Sequence, residues 1–330
     1  MRRLLLLLVC VPLQAQLLPQ FGSERVGIAL ATALKLAQGA RSAGLNAVAV
    51  ALPQGGAVWL NPALVAELPE YSAEFSTLRF VADIAVHTAY GSMRLGELGS
   101  AALSAAVLAL PPIPETTEFQ PYGTGRQWHF GHWNIGLSYA RRLTEQFSAG
   151  VTLRYIREQW AEARLEGIAW DAGTLYWTGF GTLRFAVVVS AYGAPLQAQG
   201  QLQQPVVLPG TPQGFRSFAP PTVFRIGVGG EPFNSPVQRL SLLGQLDHPS
   251  DNAESYALAA EYAVRFSEAF PAMLSLRCGI RFNAPERWSV GAGVAVPFPV
   301  QVELDYALAW HSPLGAVHRI GLQVLPPAVP

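Results

Sequence analysis

Five groups of residues have types and spacing that could support chemistry. His129-Phe130-Gly131-His132 sets two imidazoles three positions apart, a spacing found among metal ligands. No third ligand accompanies them, and Trp128 and Trp133 flank them, so an interfacial aromatic cluster is the better reading. Asp171, Glu303 and Asp305 are carboxylates of the kind that perform acid–base work, but their strand phase gives them arginine neighbours instead. His87, His248, His311 and His318 are scattered, and no Ser/His/acid arrangement can be assembled. Cys278 falls in an apolar phase, where a small hydrophobic role suits it better than a reactive one. Gly227-Val228-Gly229-Gly230 looks like a phosphate loop, but only Glu231-Pro232 follows it; with no helix pattern there, the segment reads as a strand end. No catalytic residue, no cofactor and no metal is therefore expected.

The elements that must position these residues are strands. Trp133, Ile135, Leu137 and Tyr139 alternate with Asn134, Gly136 and Ser138. Tyr256 to Val264 alternates with a phase holding Glu261, and Leu274 to Phe282 with a phase holding Arg277 and Arg281. Val300 to Trp310 alternates with a phase holding Glu303 and Asp305. Successive strand side chains point to opposite faces, so each run has one apolar face and one small or polar face. The polar face is Gly, Ala and Ser with isolated charges of both signs, rather than the Lys-, Glu- and Thr-rich face of a soluble sandwich. Arg154, Asp171, Glu261, Arg277, Arg281, Glu303 and Asp305 are thus expected inside a barrel lumen, as ion pairs that also draw on Arg184.

Composition supports a barrel in lipid. The 330 residues carry 13% charged side chains and 50% hydrophobic ones, with zero net charge; a globular chain carries about 25% charged residues. Zero net charge gives no reason to expect a nucleic-acid partner. No segment reaches the roughly 18 consecutive apolar residues of a membrane helix. Arg2 and Arg3, the run Leu4 to Val11 and Gln14-Ala15 read as a secretory signal peptide over residues 1–15. A lipoprotein signal at Cys10 is disfavoured by Val9. Cys278 is then left alone, with no disulfide framework.

Fourteen segments of strand length follow: 72–79, 83–91, 101–111, 132–142, 147–158, 166–177, 182–193, 221–229, 237–247, 254–265, 272–282, 287–297, 299–310 and 316–325. Each approaches the about 9–11 residues of a bilayer-crossing strand. The two longest connections, 112–131 and 194–220, both fall after odd-numbered strands, as the outer loops of an outer-membrane barrel do. Residues 16–70 lack alternation and contain a helix-like piece, Leu60 to Leu68, with Asn61 as cap and Pro62 at the first helical position. This segment is read as a plug inside the barrel of residues 71–330; an additional strand or a periplasmic arm is the alternative.

Gly39-Ala40-Arg41-Ser42-Ala43-Gly44, Trp59-Leu60-Asn61-Pro62-Ala63, Phe147 to Ile156, Ala169 to Tyr176, Asp305-Tyr306-Ala307 and His318-Arg319-Ile320, in that order, carry a resemblance. The chain resembles the PorV/PorQ family of outer-membrane proteins, which is similar in fold to the FadL-type barrels. It departs from that family at Gly44-Leu45-Asn46-Ala47, usually glycine-rich, and at Pro53-Gln54-Gly55-Gly56, usually acidic. The resemblance implies a fourteen-stranded barrel and a plug motif at Gly39, Arg41, Asn61, Pro62 and Ala63. It further implies a role in type IX protein secretion, with outer-membrane lipid, secreted cargo proteins and secretion-system components as partners. The alternative is a FadL-type transporter of hydrophobic small molecules, which needs an apolar path past the plug. For either, Val206, Val207, Leu208, Phe215 and Phe218 offer an outer-loop binding surface.

Overall fold

The computed structural model describes residues 26–36, 38–53, 57–80, 83–200, 214–266, 272–297, 299–312 and 314–327. The segment read as a signal peptide, residues 1–15, and Val206, Val207 and Leu208 lie outside these. Fourteen antiparallel strands close into a barrel: β1 Tyr71–Arg79, β2 Ala85–Arg94, β3 Ser100–Ala109, β4 Phe130–Arg142, β5 Phe147–Trp160, β6 Ala163–Trp177, β7 Arg184–Tyr192, β8 Val223–Asn234, β9 Gln238–Pro249, β10 Ser255–Arg265, β11 Met273–Phe282, β12 Glu286–Pro297, β13 Gln301–His311 and β14 Gly315–Leu325. Each strand pairs with its sequence neighbours, and β1 closes onto β14 with Ala73 opposite Val324. Closure leaves no sheet edge, which a hydrocarbon solvent would not tolerate.

Alternation decides which face turns outward. Leu304 and Ile320 are 56% and 57% exposed on the outer face, while Glu303 and Arg319 beside them are 2% exposed within the lumen. Among the outer-face aromatics, Trp288 and Trp310 stack near one end at 6.2 Å between ring centroids, and Trp133 meets Tyr155 at 5.5 Å. Tyr71, Tyr139, Tyr176 and Tyr262 lie towards the other end. Cys278 is on the exposed outer face. An apolar band between aromatic girdles is the surface of a barrel surrounded by lipid.

The two longest connections, 110–129 and 193–222, leave the same end of the barrel, called here the long-loop end. Each carries a two-residue ladder, Ile113–Pro114 with Gln127–Trp128 and Leu196–Gln197 with Ser217–Phe218. The opposite end has short turns, such as 143–146 and 235–237.

The lumen is occupied by residues 38–53 and 57–68, which form a short α-helix, α1 (Ala40–Gly44), and 3-10 turns at Ala57–Trp59 and Pro62–Glu67. The expected helix at Leu60 to Leu68 is instead a 3-10 segment; Asn61 caps it, its side chain accepting from the Ala63 N–H at 3.0 Å. Leu45, Val48, Val50, Leu52 and Leu64 pack against Leu175, Val188 and Leu243 of the wall and form the main apolar core. The glycine run 227–230 does not end its strand. β8 continues to Asn234 with a register shift between Gly230 and Phe233, and Val50 and Ala51 of the plug lie against Gly227 and Gly229.

Close approach of plug to wall explains two other lumen glycines. A Cβ at Gly150 would lie 2.6 Å from the Pro62 carbonyl, and one at Gly279 would lie 2.7 Å from the carbonyl carbon of Leu45. Any side chain there pushes the plug off its seat.

Leu304→Lys places a charge at mid-strand on the outer face. Unfolding from lipid vesicles by denaturant is expected to show a loss of about 2–4 kcal/mol, against about 0–1 kcal/mol for Met93→Lys near the rim. Equal costs would show that this face does not meet hydrocarbon.

Candidate functional site

Charges in the lumen gather around the plug. Glu261 of β10 is fully buried and accepts from Arg41 of α1 twice, Nη2 to Oε1 at 2.6 Å and Nε to Oε2 at 3.0 Å. It also accepts from Arg277 Nε at 2.7 Å and Arg239 Nη2 at 3.0 Å. Arg277 extends the network, donating to Glu303 at 3.0 Å and to Asp305. Such charges are expensive to desolvate, and only a connected, bidentate network of this kind offsets that cost.

Three further lumen arginines clip plug backbone. Arg281 donates through Nη2 to the Asn46 carbonyl at 2.7 Å and through Nε to Asn46 Oδ1 at 3.1 Å, while Nη1 holds Asp247. Arg184 donates to the Ala51 carbonyl at 2.5 Å and pairs with both oxygens of Glu231 at 2.7 Å. Arg154 reaches the Trp59 carbonyl at 3.5 Å and pairs with Asp171 at 2.6 Å. Asp171 in turn accepts the Ala191 N–H at 2.7 Å. Ala191 has φ 54° and sits at the point where the β6–β7 register shifts. At the short-turn end Arg142 and Ser148 hold Glu67 of the plug. A segment with little regular structure has backbone groups to satisfy, and the wall supplies the donors.

Asn61 is the mechanical centre of the motif. Its Nδ2 donates to the Val50 carbonyl at 2.7 Å and the Thr174 carbonyl at 3.1 Å, while Oδ1 caps the next turn. Pro62 and Ala63 then sit over Gly150. Gly39, beside the start of α1, has φ 89°, a conformation that glycine adopts without a Cβ penalty.

Above the plug, towards the long-loop end, two cavities open. One of about 410 Å³ is lined by Leu30, Leu108, Leu110, Phe130 and Trp160, with His132 and Glu158 in its wall. The other, about 340 Å³, is more polar and holds Arg225, Asp247, Arg281 and Arg319 beside Leu36 and Phe80. Volumes of roughly 300–1,000 Å³ are those of small-molecule sites.

The structure brings Arg154 and Asp171 together in one group and Glu261, Arg277, Glu303 and Asp305 in another, with Arg281 in a third beside Asp247. In ion pairs with arginine, Asp171, Glu303 and Asp305 are not placed as free catalytic bases. His132 lies within the lumen and His129 is exposed, so the two do not converge. Among the described residues no group of three or more His, Cys, Asp or Glu could hold a metal ion. Of the outer-loop surface, Phe215 is half-buried and Phe218 is exposed opposite Leu196. Sequence reasoning missed Glu231, Arg225, Asp247, Arg319 and the His132–Glu158 pair. Hairpin register was the available signal for that pair, since a tight turn at 143–146 fixes which residues of β4 and β5 face each other.

No protein-family model matches the chain, and no curated protein matches its sequence. Solved structures do share its fold. It is similar to the CymD monoaromatic hydrocarbon channel at 13% identity and a TM-score of 0.57, over 87% of this chain and 96% of that one. It is similar to the Pseudomonas putida toluene transporter TodX at 8% identity and a TM-score of 0.51, over 82% and 92%. A Pseudomonas aeruginosa FadL homologue aligns at 9% identity with a TM-score of 0.49, over 87% and 96%. At these identities the likeness is one of fold: a closed fourteen-stranded antiparallel barrel. These neighbours are channels and transporters, not enzymes.

Two outcomes follow from the clamp. Asn61→Asp sets a carboxylate against two carbonyl oxygens, so planar-bilayer conductance should rise several-fold while the barrel keeps its heat-dependent gel migration; unchanged conductance would show that the plug does not depend on this seat. Arg277→Met strands Asp305 and takes one arginine each from Glu261 and Glu303, which keep Arg41, and vesicle unfolding should show a loss of about 3–5 kcal/mol. A neutral result would mean that the network is not needed for stability.

Proposed function

We propose that the protein is exported by its signal peptide to a Gram-negative type outer membrane, where it admits hydrophobic small molecules from the long-loop side. The observation that carries this reading is the roughly 410 Å³ cavity at the mouth, walled by Leu30, Leu108, Leu110, Phe130 and Trp160. It stands at the end of the barrel that outer-membrane proteins turn to the exterior. An apolar molecule gains there by leaving water, at about 25 cal/mol for each Å² of apolar surface buried. The plug lies beneath the cavity, held by hydrogen bonds and ion pairs rather than covalently, so passage proceeds by its rearrangement. The FadL-like fold supports this reading, and the neighbours described as hydrocarbon channels and toluene transporters give the first substrates to try.

The secretion role implied by the PorV/PorQ resemblance takes second place. Its proposed capture surface lies mostly outside the described residues, and the fold neighbours are not described as carrying proteins.

Cells displaying the protein should accumulate labelled toluene several-fold faster than cells without it. Leu108→Asp with Trp160→Asp should remove the gain at equal barrel abundance in the outer membrane. Equal accumulation with and without the protein would overturn the uptake reading. Co-purification of secreted proteins that depends on residues 194–220 would favour the secretion role.

A further inference from the structure

The apolar mouth cavity contains one polar feature that the plug clamp does not use. His132 on β4 and Glu158 on β5 stand directly opposite each other in register. Their side chains are 6% and 8% exposed, and His132 Nδ1 lies 2.8 Å from Glu158 Oε1. Asn134 Nδ2 lies 3.1 Å from His132 Nε2. An amide N–H donates to Nε2, so Nε2 carries no proton and the Nδ1–H donates to the carboxylate.

Glu158 differs from the carboxylates of the clamp. Asp171, Glu231, Glu261, Glu303 and Asp305 each meet an arginine. Glu158 meets His132, and its Oε2 has no partner among the described residues. The Arg157 side chain next to it turns to the outer face, near Glu166. Asn134 Oδ1, in a residue 1% exposed, is buried without a partner among the described residues. Glu158 lines the cavity, and a molecule that displaces water from its Oε2 without supplying a donor leaves that acceptor unsatisfied at a cost.

We propose that the cavity selects small apolar molecules bearing a hydroxyl, an alcohol or a phenol, over plain hydrocarbons. The O–H donates to Glu158 Oε2, and the apolar body lies against Leu108, Phe130 and Trp160. A hydroxyl has one proton to place, which one acceptor satisfies. An ammonium has three, and although it would pair with the carboxylate, its other N–H groups would face the apolar lining without acceptors. A hydrocarbon fills the space and leaves the carboxylate unpaired. This selectivity deepens the uptake reading and rests on it for the route beyond the cavity.

The test uses the purified full-length protein in nanodiscs, with binding read by Trp fluorescence and calorimetry. Its probes are p-cresol, toluene and benzylamine. p-Cresol should bind about tenfold more tightly than toluene. Glu158→Gln, which keeps shape and the contact to His132, should reduce that preference; Glu158→Met should erase it while toluene still binds. Equal wild-type affinities for p-cresol and toluene would overturn the selectivity, and so would benzylamine binding best. Either result leaves the uptake reading standing if cells still accumulate toluene. Loss of accumulation with intact p-cresol binding would sink the uptake reading alone.

Discussion

The contact between Arg41 of the plug and Glu261 of the wall is the interaction on which the rest of the lumen depends. Both groups are buried, and neither can be left without the other. A guanidinium or carboxylate stranded in that space costs several kcal/mol, more than most single contacts return. Glu261 also receives Arg277 and Arg239, and Arg277 fixes Glu303 and Asp305. The seat of α1 and the arrangement of strands β9 to β13 are therefore one electrostatic unit.

The same constraint shapes the rest of the plug. Residues 38–53 and 57–68 have too little regular structure to satisfy their own backbone, and no bulk water replaces the missing partners where they are buried. Arg281, Arg184 and Arg154 donate to the carbonyls of Asn46, Ala51 and Trp59, while each is neutralised by an acid on the wall. Arginine suits this double duty because its planar fork can hold a carboxylate and a carbonyl together. Arg281 also lines the more polar mouth cavity, so the seat of the plug and that part of the mouth share a wall.

Much of this was legible in the residues. Alternation located the fourteen strands because the two faces meet different solvents; the expected 147–158 became Phe147–Trp160, and 254–265 became Ser255–Arg265. Asn61-Pro62 marked a capped turn correctly, although too few backbone bonds follow for an α-helix. Which charge pairs with which was not legible, because Arg41 and Glu261 are 220 positions apart and only the closed barrel brings them together. Gly227 to Gly230 misled for a related reason. Glycine reads as a strand breaker, yet Gly227 and Gly229 make room for Val50 and Ala51. At Asn46 and Ala47 both residues adopt positive φ, 54° and 58°. The sequence lacks the glycines that would signal this, and Arg281 holds Asn46 in place instead.

Hydrogen exchange on the protein in nanodiscs tests the central claim most directly, comparing native protein with Glu261→Gln. A plug locked to the wall through Glu261 predicts strong protection of amides in Ala40–Leu45 and Ala63–Glu67 in the native protein, and loss of that protection in the variant while the barrel strands stay protected. Rapid exchange of those amides in the native protein, or protection unchanged by the substitution, would contradict it.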